Sequence, residues 1–327
     1  MDMNKTMHNI NIDSNGRASI ALATQSAWHR LGQILPDAFD AATAIREANL
    51  DWQVELQPCF AQDGRQVPGK RLTVRTDTNA ILGVVGDRYT PLQNQDAFGF
   101  FDGAFGQGKV RFESAGVLGQ GERVWMLARV PGEFDILPGD SVQPYLLLAN
   151  GHDGSQPVTA IFTPIRVVCQ NTLGAAMRSA RKGEQVRVLH TPTVETRLRI
   201  AGELLGKAGI FFDETKEIFG QLARRQIRAD AQRQFISRSL GEVEPDFQRL
   251  STRRKNQILA VEEIAEVGLG HDIPGVRGTL WGAYNAVTEY VDHVRTREDL
   301  SFMANGSGSD IKGRALTVAL EMAAAMN

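Results

Sequence analysis

Between Tyr145 and Lys182 the chain reads YLLLANGHDGSQPVTAIFTPIRVVCQNTLGAAMRSARK, and no other stretch narrows the possible folds as much. An apolar run from Tyr145 to Ala149 meets a turn cluster, Asn150-Gly151-His152-Asp153-Gly154-Ser155. A second run covers Val158 to Phe162, then Thr163-Pro164, then a third from Ile165 to Cys169. Apolar runs this short, bounded by Gly, Pro and Asn, mark buried strands. After the polar break Gln170-Asn171-Thr172, Leu173 to Lys182 reads as a helix with a basic end. The stretch predicts a hairpin feeding a helix, with polar residues gathered at both turns.

The flanking sequence places this hairpin in a larger sheet. Phe39 to Ala48 repeats apolar residues at helical spacing, and Leu50 to Leu56 alternates like a half-buried strand. Arg71–Asp77 and Ala80–Val85 read as strands joined at Thr78-Asn79, with Gln62 to Arg65 as an earlier turn. Asn94 to Phe105 reads as a helix, and Val110–Gly116 and Arg123–Val130 as a hairpin turning at Gly119-Gln120-Gly121. From Thr191 the pattern becomes helical: a run from Val194 to Phe212 with Thr193 as N-cap, then segments over 215–240, 246–268, 276–297 and 311–325. Asn305 to Ser309 reads as a break before the last of these. Strands that cluster, rather than alternate with helices, predict an α+β fold: a mainly antiparallel sheet with flanking helices, followed by a helical C-terminal region. The expected organisation is a flexible tail over 1–26, an α+β core over 27–190 and a helical region over 191–327.

Several classes are disfavoured by what the chain lacks. Its 327 residues carry a formal charge of −2, so any nucleic-acid surface must be a local patch. Two cysteines, Cys59 and Cys169, form no disulfide framework and fit a reducing cytoplasm. No apolar run of about 18 residues is present, and the first residues lack the core of a signal peptide. A cytoplasmic protein without a membrane span is the expectation.

Three candidate chemistries stand against plainer readings. His152-Asp153 offers a metal ligand or an acid/base pair, but Asn, Asp and Gly are also ordinary turn residues, and a catalytic metal needs about three protein ligands. Cys169 ends a buried run, where a thiol serves as a small apolar residue rather than a nucleophile. The basic residues Arg166, Arg178, Arg181, Lys182 and Arg187 are opposed between 166 and 189 only by Glu184. Arg178, Arg181 and Lys182 share one helical face by spacing. Arginine's planar fork suits phosphate, and Asn171 beside it adds an amide for phosphate or a base edge. A second basic group runs from Arg224 to Lys255, and for both groups a solvated helix face is the plainer reading, against which the arginine bias stands.

Longer strings carry a resemblance. Trp28-His29-x-Leu31-Gly32, Leu82-Gly83-Val84-Val85-Gly86-x-x-Tyr89-x-Pro91-x-Gln93-Asn94, Asn150 to Ser155, Thr163-Pro164-x-Arg166 to Leu173, and Gly278 to Asn285 resemble a phage- and plasmid-like family classed as a domain of unknown function, family 932. The resemblance covers about 25 to 325 and implies a setting in mobile elements, whose accessory proteins serve recombination, replication or anti-defence. The strand–strand–strand–helix order is similar, by fold analogy, to phage single-strand annealing proteins. Annealing requires a groove that holds phosphate and leaves bases free, and no aromatic platform is visible beside Arg166 to Arg187.

These readings together give a non-enzymatic, cofactor-free, oligomeric DNA-binding protein of mobile elements. Single-stranded DNA is its partner, and Arg166, Asn171, Arg178, Arg181, Lys182 and Arg187 are its contacts. The alternatives are an anti-restriction protein acting by protein binding, and a metal-dependent enzyme built on the His152-Asp153 loop.

Overall fold

The computed structural model describes residues 11, 19–23, 33–35, 40–97, 99, 110–130, 132–166, 171–172, 185–205, 209–242, 247–295 and 307–326. Its architecture is α+β, with a large mainly antiparallel sheet, a separate three-stranded sheet and a helical C-terminal region. The chain forms two compact units that interleave along the sequence. One comprises Met1–Pro131, Tyr145–Ile161 and Gln185–Ala208, the other Gly132–Pro144, Phe162–Glu184 and Gly209–Asn327.

The first unit holds most of the strands. Strand β1 (Ile20–Ala23) pairs in parallel with β2 (Gln33–Leu35) and antiparallel with β6 (Arg111–Leu118). The tail expected over 1–26 therefore contains a strand. Ile20, Ala21 and Leu22 are buried, an apolar run too short to stand out among polar neighbours. Helix α1 (Ala41–Glu47) starts at Asp40, whose carboxylate accepts a 2.8 Å hydrogen bond from the Thr43 amide. That bond holds the Asp40 carboxyl below its usual pKa. Asn49, at φ 53°, ends the helix in the left-handed conformation that Asn tolerates.

Strands β3 (Val54–Phe60), β4 (Gln66–Arg75) and β5 (Ile81–Gly86) form an antiparallel meander. The alternation read from Leu50 is present in burial, with Leu50, Trp52 and Val54 inside, but the strand begins only at Val54. Residues 94–97 are helical, as expected there, and residues 101–109 lie outside the described residues.

Strand β6 turns through Gly119 and Gly121, both at positive φ, into β7 (Arg123–Arg129), which pairs with Tyr145–Gly151 of β9 (Asp140–Gly151). Next comes β10 (Val158–Arg166), a single strand where Thr163-Pro164 predicts a break. Its first half pairs with β12 (Gln185–Val188), and its last residues, which belong to the second unit, pair with β11 (Asn171–Thr172). Pro164 falls between the residues that pair with β12 and those that pair with β11. Helix α2 (Val194–Leu205) closes the unit.

In the second unit, β8 (Phe134–Leu137) pairs with the start of β9. The run read as one helix from Val194 to Phe212 is two, α2 and α3 (Gly209–Ala223). Then follow α4 (Ala229–Ser239), a 3-10 turn (Phe247–Arg249), α5 (Thr252–Val267), α6 (Leu280–Glu289) leading into a π-helical segment (Tyr290–Arg295), and α7 (Ser307–Ala325). The last helix starts inside the string read as a break, since Ser307-Gly308-Ser309 already belongs to it.

Trp281, Phe219 and Tyr284 centre this unit's core, with ring centroids 4.8 Å, 5.9 Å and 6.1 Å apart. Buried Trp281 donates a 2.7 Å hydrogen bond from Nε1 to Asp140. The string Gly278 to Asn285 serves this core. Thr279 caps α6 by accepting from the Gly282 amide, and a Cβ on Gly282 would lie 2.3 Å from the Val276 carbonyl oxygen.

Candidate nucleic-acid interface

In the first unit the string Leu82 to Asn94 packs on the loop Asn150–Ser155, while Trp28 to Gly32 lies outside the described residues. The His152 ring is fully buried and lies edge-on to Trp52, with centroids 5.4 Å apart. The Asn94 side-chain nitrogen donates to the Leu50 carbonyl, so Asn94 Oδ1 accepts the 3.0 Å bond from His152 Nε2. This assignment leaves Nδ1 unprotonated, and it has no partner. Burial, with the His190 and Arg75 charges behind it, pushes the His152 pKa down to about 3.

Neighbouring residues fix the same loop. Asn150 donates to the Leu92 carbonyl, and the Tyr89 hydroxyl donates to the Gly151 carbonyl at 3.0 Å. Gln93 both accepts from and donates to the Val54 backbone, acting as a short extra strand partner. Buried Arg75 lies over the Trp52 ring at 4.4 Å while its guanidinium forks onto Asp77. Gly83 is required by the loop's approach, because a Cβ there would stand 2.6 Å from the Asp153 carbonyl oxygen.

Asp153 turns inward on its own loop, accepting from the Ser155 amide at 2.8 Å and from its hydroxyl. Among the described residues no three His, Cys, Asp or Glu side chains gather as a metal site would require. His152 and Asp153 are here parts of a packed turn. Sequence reasoning singled out the dipeptide but missed Trp52, Arg75 and Asn94, whose side chains explain it. Gln93 and Asn94 stood in a shared string, yet nothing in their spacing names a partner some forty to sixty residues away.

The predicted DNA contacts are distributed as follows. Arg166 and Asn171 are direct register partners across the β10–β11 ladder of the second unit. Arg187 lies on β12 of the first unit, opposite Thr159, and is exposed. Arg178, Arg181 and Lys182 lie outside the described residues, as does Cys169.

In the second basic group four of the eight arginines pair with carboxylates of their own unit. Arg224 pairs with Glu217 at 3.0 Å, Arg233 forks onto Glu262, Arg238 meets Glu321, and Arg254 meets Glu242 at 2.6 Å. Arg233 and Lys255 also flank the Phe247 ring. The hydrogen bonds that Arg233 donates to Glu262 raise the Arg233 pKa. No described helix is long and apolar enough to cross a membrane.

What fold and loop define is a two-unit α+β protein whose first unit is built round a buried histidine turn. The chain belongs to the family described as Domain of unknown function (DUF932), whose model matches residues 81–315. That span takes in every shared string except Trp28 to Gly32. Neither a curated protein nor a solved structure matches the chain.

Proposed function

We propose that the protein binds single-stranded DNA in mobile elements, as an annealing or replication-associated factor, and holds phosphate through the segment from Arg166 to Arg187. One contrast carries this reading. Four of the eight arginines between 224 and 255 are paired with carboxylates of their own unit, whereas the 166–187 segment has five basic residues against Glu184 and ends on an exposed Arg187. Strand β12, which carries Arg187, pairs with β10 on one side and with no other strand among the described residues. Support for the genetic setting comes from the shared strings, and support for annealing from the antiparallel run β6–β7–β9–β10 ahead of a basic segment. Assembly into a ring or filament belongs to the same reading.

Fluorescence anisotropy with an unstructured labelled oligothymidine, across a series of salt concentrations, tests it. Each neutralised phosphate contact lowers the slope of log K against log salt by about 0.7 on single strands. The combined change Arg178→Ala, Arg181→Ala, Lys182→Ala should weaken binding and flatten that slope by about 2. An unchanged affinity and slope removes the segment as the binding surface. No binding by the unaltered chain at low salt removes the DNA reading altogether, and leaves the protein-binding inhibitor ahead.

A further inference from the structure

An open cleft of about 800 Å³ lies in the first unit, lined by Gly69, Gly86, Asp87, Arg88, Tyr89 and the segment Leu189 to Pro192. It forms where the turn after β5 meets the chain leaving β12. Two hydrogen bonds hold those segments together: the Thr90 amide donates to the His190 carbonyl at 3.1 Å, and His190 Nδ1 donates to the Thr90 carbonyl at 3.3 Å. The wall sets Tyr89, His190, Leu189 and Pro192 beside the polar Asp87, Arg88 and Thr191. Tyr89 is half-buried, stacked on His190 with centroids 4.8 Å apart, and its hydroxyl bond to Gly151 fixes the ring's orientation. Leu189, a large apolar side chain, is 60% exposed here.

The rim is basic. Arg88 is exposed, and Asp87, the acid in the wall, lies 3.7 Å from Arg71. Arg187 and Leu189 are both exposed while Val188 between them is buried, so they face the same way, about 7 Å apart along extended chain. A slot with an oriented aromatic ring, flanked by arginines, complements a nucleotide: a flat base with a phosphate on each side.

We infer that this cleft takes one nucleotide of a bound single strand, its base against Tyr89, Leu189 and Pro192 and its flanking phosphates on Arg88 and Arg187. The inference rests on the DNA-binding reading and supplies the stacking platform that the sequence around Arg166 to Arg187 lacks. Tyr89 lies about a hundred residues from His190 in sequence and meets it only through the fold.

Two exposed positions test the cleft without disturbing the packed loop. In the oligothymidine titration, Arg88→Ala should lower the salt slope by about 0.7. Leu189→Asp should weaken binding on the order of tenfold, the loss of roughly one stacked base. An abasic oligonucleotide of the same length, which presents phosphates but no base, should bind the unaltered chain and Leu189→Asp to within about twofold, apart from the added charge, which high salt screens. If the unaltered chain binds and both variants match it in affinity and slope, the cleft is not the nucleotide site, while the DNA-binding reading stands. If Leu189→Asp loses as much affinity for the abasic strand as for oligothymidine at high salt, no base enters the cleft. If the unaltered chain fails to bind at low salt, the parent reading falls and the cleft assignment falls with it.

Discussion

Two glycines of one strand separate backbone approach from composition. A methyl group at Gly83 would press on the Asp153 backbone, whereas one at Gly86 would meet nothing within 4 Å. Gly83→Ala should therefore cost about 1–3 kcal/mol, and Gly86→Ala should stay within about 0.5 kcal/mol, by urea midpoint. Asp153→Ala removes the bonds from Ser155 and should cost about 1 kcal/mol. His152 gives the loop a pH dependence whose sign follows from its lowered pKa. In the unfolded chain the ring titrates near 6.5, in the fold near 3, so between those values the unfolded state binds the extra proton. Stability from this group is complete above the unfolded value and falls with pH, by up to about 1.4 kcal/mol per unit. Denaturation between about pH 7 and about pH 5 should show this slope, and His152→Gln should flatten it. An equal slope in both proteins would assign the acid sensitivity to other groups.

Between elements, the most exacting contact is an ion pair. Lys312 of α7 meets Asp292 of the π-helical segment at 2.7 Å, and both side chains are fully buried. Removing one partner strands a charge in the core, so Lys312→Met should lose about 3–5 kcal/mol. Adding Asp292→Leu should restore part of that loss; a double variant no more stable than the single one would show that packing, not charge, was lost. Nothing in the spacing of residues 292 and 312 announces this pair, because a Lys on a helix reads as solvated. The strands were more legible. The runs at Arg71, Ala80, Val110, Arg123, Tyr145 and Val158 all fall on strands, since short apolar runs between turn residues have few other uses. Errors cluster where local pattern and tertiary partner disagree: Pro164 inside β10, Ser307 inside α7, and β8, whose four residues are too few to show a period. The candidate site was legible only as a local charge cluster; the cleft around Tyr89 and Leu189 joins stretches a hundred residues apart.

At the scale of the whole molecule, composition and compactness divide the chain differently. Sequence turns from strand-rich to helix-rich near Thr191, while the second unit draws on Gly132–Pro144 as well as on everything after Gly209. Its core includes Val142; Phe134, Ile136 and Leu137 pack against that core, and its tryptophan bonds to Asp140. A chain cleaved at a protease site placed near Thr191 should therefore migrate as one species in native gel filtration and separate only in denaturant. A fragment of 191–327 made alone should lack a cooperative unfolding transition, having lost Asp140 and Val142. Separate elution of the two pieces without denaturant would contradict this. The same interleaving bears on synthesis. At roughly 5–20 residues per second, the hairpin from Phe134 to Val142 leaves the ribosome on the order of ten seconds before Trp281 exists to cover it. During that wait its apolar residues are open to other nascent chains, so soluble yield in a cell should depend on how fast the stretch after residue 209 is translated.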